Sequence, residues 1–407
     1  MTIVIASKFI ISNCIRSHLV IGTRHVPKDA SFYGMCLLSS ADGSFFIRSS
    51  TPTMEAITTL NSEDMLIDGI KDGSMVCANA SSLSRAIDSF ETGVKLDMSI
   101  SEGGTSMLVM LAGSNDDSQT VPLAGSQSVP PAVQMPRKGI SFKCTVGAIA
   151  SVIGRIRFAL PVSDMIRHYT FIKFRVSKNS MKVIAGNGGV FARTSCFISD
   201  VNGLDGEKPI YIPAKEMLKV VDYLSNNFDE EDHVFMVFGK DRIGFECGNF
   251  CAVVSSAWDN QPWPDENDVL AKNYMTKISA GIAAWNSVYN GIRAVFELEN
   301  DHNNLCKTKL TIDKNGNKAV MATGSRNVSK RTLQISSACI IDPAALTASF
   351  SSSIFCEVIK SSKSASNIVM EIDSSKFKDV SSPVIMRSFD DGSDIPSIEF
   401  FFVQLSR

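Results

Sequence analysis

Three short turn sequences divide this 407-residue chain into thirds. The turns are Ala41-Asp42-Gly43-Ser44, Ser177-Lys178-Asn179-Ser180 and Asp313-Lys314-Asn315-Gly316, and their first residues are 136 apart in both steps, close to a third of the length. Apolar and polar residues alternate around each turn, which is the pattern of a β-hairpin. A repeat of this length indicates three copies of one structural unit.

Helical segments recur at about half that period. Apolar residues three to four positions apart predict six helices, at residues 7–20, 80–91, 145–158, 213–225, 279–293 and 343–355. Asn79 is a candidate N-cap, and Pro213 and Pro343 stand at the first helical position, where proline loses no hydrogen bond. Breaker-rich stretches at 126–138 and 259–273 indicate linkers. We therefore predict an α+β fold of three domains, 1–125, 139–258 and 274–407, each with two helices packed on antiparallel sheet.

Composition narrows the function classes. Hydrophobic residues make up 44% of the chain and the net charge is −2, so the molecule as a whole is not a polybasic nucleic-acid binder. No apolar run reaches the roughly 18–20 residues of a membrane span, and the N-terminus lacks a signal-peptide pattern, so we expect a cytoplasmic protein. The ten cysteines and five histidines are scattered, which predicts buried free thiols, no metal site and no cofactor.

Motifs of catalysis are not found: the sequence has no GxxxxGK[ST], HExxH or GxSxG pattern. The segment 186–189, Gly-Asn-Gly-Gly, could bind phosphate, but a turn at the end of a strand explains it better, since no helix with a lysine follows. Asp42 and Asp232-His233 are explained by surface turns, and Trp258 and Trp263 by anchoring of a linker rather than stacking on bases. The sequence therefore predicts that the chain is not an enzyme.

The outer faces of the predicted helices carry basic residues beside small polar ones. These are Lys8, Arg16, Arg85 (beside Ser84), Arg155, Lys215 and Lys219. A charged face is usually only a solvated face, and that interpretation remains open. The scarcity of acidic residues on these faces favours sequence-independent contact with phosphates. The third domain is less basic, with Asn286, Asn290, Arg293, Thr347 and Ser351 on its helix faces.

Several stretches of the middle third resemble, in order, a known family. They are Arg157-Phe158-Ala159, Arg167-His168-Tyr169, Val183 to Ala192, Tyr211-Ile212-Pro213-Ala214-Lys215, Trp263-Pro264-Asp265 and Val269-Leu270. The family is the bacterial DNA sliding clamp, the β subunit of the replicative polymerase, with R-Y-Y, V-A-T-D-G-H-R-L-A, I-V-P-R-K, F-P-D and V-L-P at the last five of these places. The resemblance implies a ring of two subunits whose twelve helices surround duplex DNA.

Site residues follow from the helix faces and from this resemblance together. The expected DNA contacts are Lys8, Arg16, Arg24, Arg85, Arg155, Arg157, Arg167, His168, Tyr169, Lys215 and Lys219. In the family a groove accepts a short peptide of the polymerase, and its counterpart here would draw on Thr170, Gly188, Pro264, Val269, Val403 and Leu405.

Departures from the family concern the rim of this groove. Gly189-Val190 stands where the family has His-Arg, Asn267-Asp268 replaces a basic pair, and residues 403–407 replace Met-Pro-Met-Arg. We therefore expect an apolar groove with fewer basic groups, and a divergent clamp of the kind a phage could encode.

The expected function is that of a DNA polymerase processivity factor. The partners that the resemblance implies are double-stranded DNA, a polymerase bound through a short linear motif, an ATP-driven clamp loader and a second copy of the chain. The alternative is a non-enzymatic scaffold, such as a virion or assembly protein, that reuses the three-domain repeat; the weakly basic third domain supports it.

Overall fold

The computed structural model describes most of the chain. The described residues are 2–5, 35–41, 44–60, 75–91, 94–101, 104–114, 116–124, 134–160, 170–187, 190–204, 209–256, 276–299, 306–313, 315–324, 328–340, 347–372, 383–393 and 396–403.

The described residues form strands and helices in a regular succession. The strands are β1 Thr2–Ile5, β2 Met35–Ala41, β3 Ser44–Ser50, β4 Met54–Leu60, β5 Met75–Asn79, β6 Leu96–Ile100, β7 Ser106–Leu111, β8 Ser118–Ala124, β9 Ile140–Thr145, β10 Phe171–Val176, β11 Ser180–Gly186, β12 Val190–Phe197, β13 Ser199–Asn202, β14 Pro209–Pro213, β15 His233–Phe238, β16 Arg242–Cys247, β17 Phe250–Ser255, β18 Thr276–Gly281, β19 Lys307–Ile312, β20 Lys318–Thr323, β21 Ser329–Gln334, β22 Ser337–Ile340, β23 Thr347–Ser351, β24 Asn367–Ile372, β25 Pro383–Phe389 and β26 Ile398–Val403. The helices are α1 Ala80–Asp88, α2 Val146–Ile156, α3 Ala214–Asn227, α4 Ile282–Glu299 and α5 Ser352–Ser361, and a 3₁₀ turn, Arg157–Ala159, follows α2.

Contacts divide the chain into two compact units. The first comprises Met1–Ala150, Val176–Ser180 and Phe197–Trp258, and the second Ser151–Arg175, Met181–Cys196 and Asp259–Arg407. The three domain boundaries expected from the sequence do not coincide with this division and stay a prediction.

The first unit contains one antiparallel sheet of 13 strands. Its order is β1-β6-β7-β8-β5-β2-β3-β4-β17-β16-β15-β9-β13. Helix α1 packs on β5 and β8, and its buried Leu83 and Ile87 join a core with Phe45, Ile47 and Met98. Apolar residues alternate with polar ones along the strands, so the apolar side chains lie on one face of the sheet and pack in this core.

The second unit contains a long sheet and a short one. The long sheet runs β10-β11-β12-β26-β25-β24-β18-β22 and the short one β21-β20-β19-β23. Helix α4 packs on β20, β21 and α5, with Trp285 fully buried and its Nε1 donating to the carbonyl of Ile368 over 3.2 Å. These contacts bury the apolar faces of both helices.

The three hairpins predicted from the repeat are confirmed. Ala41 pairs with Ser44, the amide of Ser177 donates to the carbonyl of Ser180 over 2.9 Å, and Ile312 pairs with Ala319 across the last turn. Gly316 adopts φ 70°, a left-handed conformation that glycine reaches without steric cost.

Five of the six predicted helices fall within the described residues, and four of them lie close to their predicted spans. The side chain of Asn79 caps α1 by accepting from the amide of Ser82 over 3.0 Å, as predicted. Pro213 precedes α3 as its cap rather than forming its first residue. Residues 279–281 end β18, and α4 begins at Ile282. The helix predicted at 7–20 lies outside the described residues.

The sixth helix was predicted at the wrong place. Residues 347–351 form β23, which pairs with β19, and α5 begins only at Ser352. Ala348 and Phe350 are buried with the half-buried Ser349 between them, so this segment has the period of a strand. Thr347 and Ser351 therefore do not lie on a helix face, and Pro343, the expected first helical residue, lies outside the described residues.

Candidate nucleic-acid interface

Helix α1 exposes one of the predicted DNA contacts. Arg85 is exposed in the last turn, and Asp88 is exposed beside it. Ser84, which was expected on the solvent face, is buried and donates from its hydroxyl to Asp88 over 3.3 Å. The helix contacts both β5 and β8, and this covers more of its surface than its sequence pattern indicated.

The C-terminal end of α2 carries two arginines. Arg155 is half-buried, and its Nη2 donates to Ser364 Oγ over 3.2 Å, whereas Arg157 is exposed in the 3₁₀ turn that follows. Since residues 151–175 and 259–407 belong to the same unit, this bond brings Arg155 to the segment after α5. Ile149, Val152 and Ile153 are buried, as the helical period predicts.

Helix α3 presents a basic pair with an acidic neighbour. Lys215 is exposed and Lys219 half-buried one turn later. Burial lowers the pKa of Lys219, Glu216 partly offsets this, and the positive charge of Lys215 adds to it. Glu216 also accepts from the hydroxyl of Thr53 over 2.7 Å. A phosphate near Lys219 would favour the charged form of its amine.

The second unit has exposed basic residues that the sequence did not predict as DNA contacts. Lys360 lies in the last turn of α5 and Lys363 directly after it, next to the serine that Arg155 contacts. Arg293 on α4 is exposed but pairs with Glu297 over 2.6 Å. The basic surface of the second unit therefore involves the end of α5, which the misplaced helix had excluded.

Six predicted DNA contacts lie outside the described residues. They are Lys8, Arg16, Arg24, Arg167, His168 and Tyr169. The five described ones, Arg85, Arg155, Arg157, Lys215 and Lys219, all lie on helices or in the turn directly after one. Arginine and lysine side chains at such positions can contact phosphates, which carry no sequence information.

Two of the predicted groove residues lie in the described part of the chain. Thr170 directly precedes β10, and Val403 ends β26, where it pairs with Pro383. Gly188, Pro264, Val269 and Leu405 lie outside it.

Chemistry of other kinds has few candidates among the described residues. Within them, no group of three or more His, Cys, Asp or Glu side chains could hold a metal ion. The described cysteines are free, and burial raises the pKa of Cys196 and of Cys356 to about 12. These two thiols therefore stay protonated at alkaline pH at which an exposed cysteine ionises. No helix in the described ranges is long and apolar enough to cross a membrane.

The chain has the α+β fold of the DNA sliding clamps, over its whole length. The DNA polymerase sliding clamp of Bacillus subtilis is similar at a TM-score of 0.82 and 13% identity, covering 100% of this chain and 99% of that one. The β subunit of DNA polymerase III from Thermotoga maritima is similar at 0.80 and 14%, covering both chains fully. The sliding clamp of Pseudomonas aeruginosa bound to griselimycin is similar at 0.80 and 13%, again covering both chains fully. The sequence matches no protein-family model and no curated protein.

Proposed function

We propose that the chain is a DNA polymerase processivity factor, a sliding clamp that forms a ring with a second copy around duplex DNA. The observation that carries this proposal is the clamp fold, shared along the entire chain with solved β subunits of DNA polymerase III. Domains at 1–125, 139–258 and 274–407 belong to the proposal, because three repeats in each of two copies give the six domains of a closed ring.

The basic helix residues supply attraction without sequence readout. Arg85, Arg157 and Lys215 are exposed on or directly after three different helices, and side chains of this kind contact phosphates, which carry no sequence information. A ring held by such contacts stays on the duplex by topology and slides along it. The exposed Lys360 and Lys363 weaken the scaffold alternative, which depended on a third domain poor in positive charge.

The tether to the polymerase is the second half of the function. A groove near Thr170 and Val403 would accept a short linear motif of the polymerase, and an enzyme held there keeps a high effective concentration at the template. Closing the ring around DNA requires an ATP-driven loader, which this chain would need as a partner in the cytoplasm. The chain itself performs no catalysis in this scheme.

Retention on DNA tests the proposal. After loading, we expect the protein to stay on a nicked circular plasmid and to leave the same plasmid once it is cut, because only a closed circle confines a ring. Equal retention on both forms would contradict the proposal. Reversal of charge in Arg155→Glu, Lys215→Glu and Lys219→Glu together should weaken DNA association, whereas Lys309→Glu, at an exposed position of strand β19, should not.

A further inference from the structure

In each unit, the end strand of one repeat pairs edge to edge with the end strand of the next repeat, a pairing called a junction below. In the first unit β4 pairs with β17, and in the second β12 pairs with β26, both antiparallel. By the internal repeat, β4, β12 and β21 are each the last of three consecutive strands, β2–β4, β10–β12 and β19–β21. Strands β8, β17 and β26 are each the last of the three strands that follow α1, α3 and α5. Two junctions of this kind therefore form within the chain. Strands β21 and β8 form no corresponding junction within the described residues.

The two remaining strands have exposed edges of opposite charge. Strand β21 is the end strand of its four-stranded sheet and exposes Lys330 and Arg331, next to Val328, which is 67% exposed. In the described part of the chain, residues 118–122 of β8 pair only with β7, and the exposed Asp116 and Asp117 directly precede them. Such edges are suited to strand pairing with another chain.

Strand registers place Arg331 at the position that Thr58 has in the first repeat. A row of paired residues can be followed across neighbouring strands in two of the repeats. Each row starts at the residue four positions before α1 or α5. The row that starts before α1 is Val76, Leu38, Ile47 and Thr58. The row that starts before α5 is Ala348, Leu310, Met321 and Arg331. The buried Leu60 and Leu333, two residues further along, show that both strands turn the same face to the core. At the internal junction Thr58 lies opposite Phe250.

The same counting places Asp117 at the position of Phe250. Two further rows correspond to each other, because each has a buried methionine on its second strand. One row is Phe142, Met236, Phe245 and Ala252. The other is Ile3, Met98, Val109 and Gln119. Gln119 therefore corresponds to Ala252, and Asp117, two residues earlier, to Phe250. If β21 pairs with β8 as β4 pairs with β17, Arg331 lies opposite Asp117.

A tyrosine fills the internal junction, and a cavity lies at the corresponding place near β8. The ring of Tyr223 stacks on Phe250 with centroids 3.9 Å apart, and its hydroxyl lies 2.6 Å from Thr58 Oγ1. Tyr223 is the tenth residue of α3, whereas the tenth residue counted from the start of α1 is the smaller Ser89. A cavity of about 450 Å³ lies there, lined by residues that include Ser89, Phe90, Glu91, Asp116 and Asp117.

Arg331 has the length and the charge that this cavity requires. Its side chain lies across Gly291 of α4, where an added methyl group would collide with Nε, Cγ and Cδ. The internal junction combines a small residue, Thr58, with a large one, Tyr223. The two exposed edges reverse this order, with the large Arg331 on one strand and the small Ser89 beside the other.

We infer that Arg331 of one copy binds in the acidic cavity beside Asp117 of a second copy, with β21 and β8 paired antiparallel. This inference rests on the proposed clamp function and names the contact that closes the ring. In the same register Lys330 lies opposite Ser118, and Val328 opposite Thr120, so the exposed valine becomes covered. The contact between copies then depends on charge and weakens with salt.

Charge reversal of the full-length protein tests the pair. Arg331→Asp and Asp117→Arg should each weaken dimerisation about a hundredfold, because like charges then meet at the junction. The combined variant should restore it, which also shows that neither change prevents folding. Lys309→Asp, an exposed reversal in the same short sheet as Arg331, is the matched control and should leave the dimer unchanged. The measurement is sedimentation velocity over a range of concentrations at low and high salt.

The outcomes separate this inference from the clamp function. Dimers that persist in both single variants, or a combined variant that stays monomeric, would overturn the Arg331–Asp117 contact. Retention of the unaltered protein on circular DNA would in that case leave the clamp function standing. A parent chain that is monomeric at all concentrations and is not retained on circles would overturn both.

Discussion

Arg387 donates from Nε to Glu399 Oε1 over 2.9 Å, between the neighbouring strands β25 and β26. Glu399 also accepts from Arg193 Nε over 2.6 Å, across the junction between β26 and β12. Arg387 further contacts Glu371. The side chain of Glu399 is only 10% exposed. One buried carboxylate therefore pairs with two arginines, one on each neighbouring strand.

Removal of this charge should destabilise the second unit. Glu399→Gln removes the carboxylate that pairs with the partly buried Arg193 and leaves Arg387 with Glu371 alone, so we expect a loss of about 3 kcal/mol in the free energy of unfolding. The measurement is urea denaturation followed by fluorescence. Glu297→Gln is the control, because it breaks an ion pair that is more than half exposed, and it should have no measurable effect. Equal effects of the two substitutions would contradict the role of burial.

Gly291 and Gly154 should respond to alanine in opposite ways. Both lie in helices, where alanine is ordinarily better than glycine by about 1 kcal/mol. A methyl group at Gly154 meets nothing within 4 Å, so Gly154→Ala should raise the unfolding midpoint. At Gly291 the methyl group collides with Arg331, so Gly291→Ala should lower the midpoint.

Removal of the arginine side chain supplies the control for this comparison. In an Arg331→Ala background the collision is absent, so adding Gly291→Ala should raise the unfolding midpoint relative to Arg331→Ala alone; both of these proteins lack the proposed dimer contact of Arg331. Thermal unfolding followed by circular dichroism measures all four proteins. A double variant less stable than Arg331→Ala would show that Gly291 accommodates something other than the Arg331 side chain.

The exposed lysines at the end of α5 should contribute to DNA association. Lys360→Glu/Lys363→Glu should reduce retention on circular DNA. It should also make the slope of log affinity against log salt shallower by about one to two, because binding through fewer phosphate contacts releases fewer counterions. Lys309→Glu, at an exposed position of β19, is the control. An unchanged salt slope would place these lysines away from the DNA.

Hairpins and most helices were predictable because their signals are local. The turns at residues 41–44 and 177–180, and the N-cap Asn79, act through their own backbone and near neighbours. The sixth helix was predicted wrongly because residues 343–355 carry apolar side chains at spacings that suit either period. Pairing of β23 with β19, a contact with a distant part of the chain, makes residues 347–351 a strand.

The site was only partly predictable, for a related reason. Lys215 and Arg155 follow from helical periodicity in the middle third, but Lys360 was missed because the predicted helix ended at residue 355. Burial of Ser84 depends on two strands that cover α1, which no local pattern reveals. The relation between Arg331 and Ser89 requires the strand registers, since their positions correspond only through the internal repeat.

Alkaline pH should destabilise the fold through Cys196. Burial raises the pKa of this thiol from 9.0 to about 12, so the folded state keeps its proton where the unfolded state loses it. A raised folded pKa gives stability that is complete below pH 9 and is lost as pH rises toward 12. Between pH 9 and pH 10.5 the parent should therefore lose about 1.5–2 kcal/mol more than Cys196→Ala. Urea midpoints across this range measure the difference, with Cys339→Ala, at an exposed position, as the control for loss of a thiol; parallel curves for the parent and Cys196→Ala would contradict it.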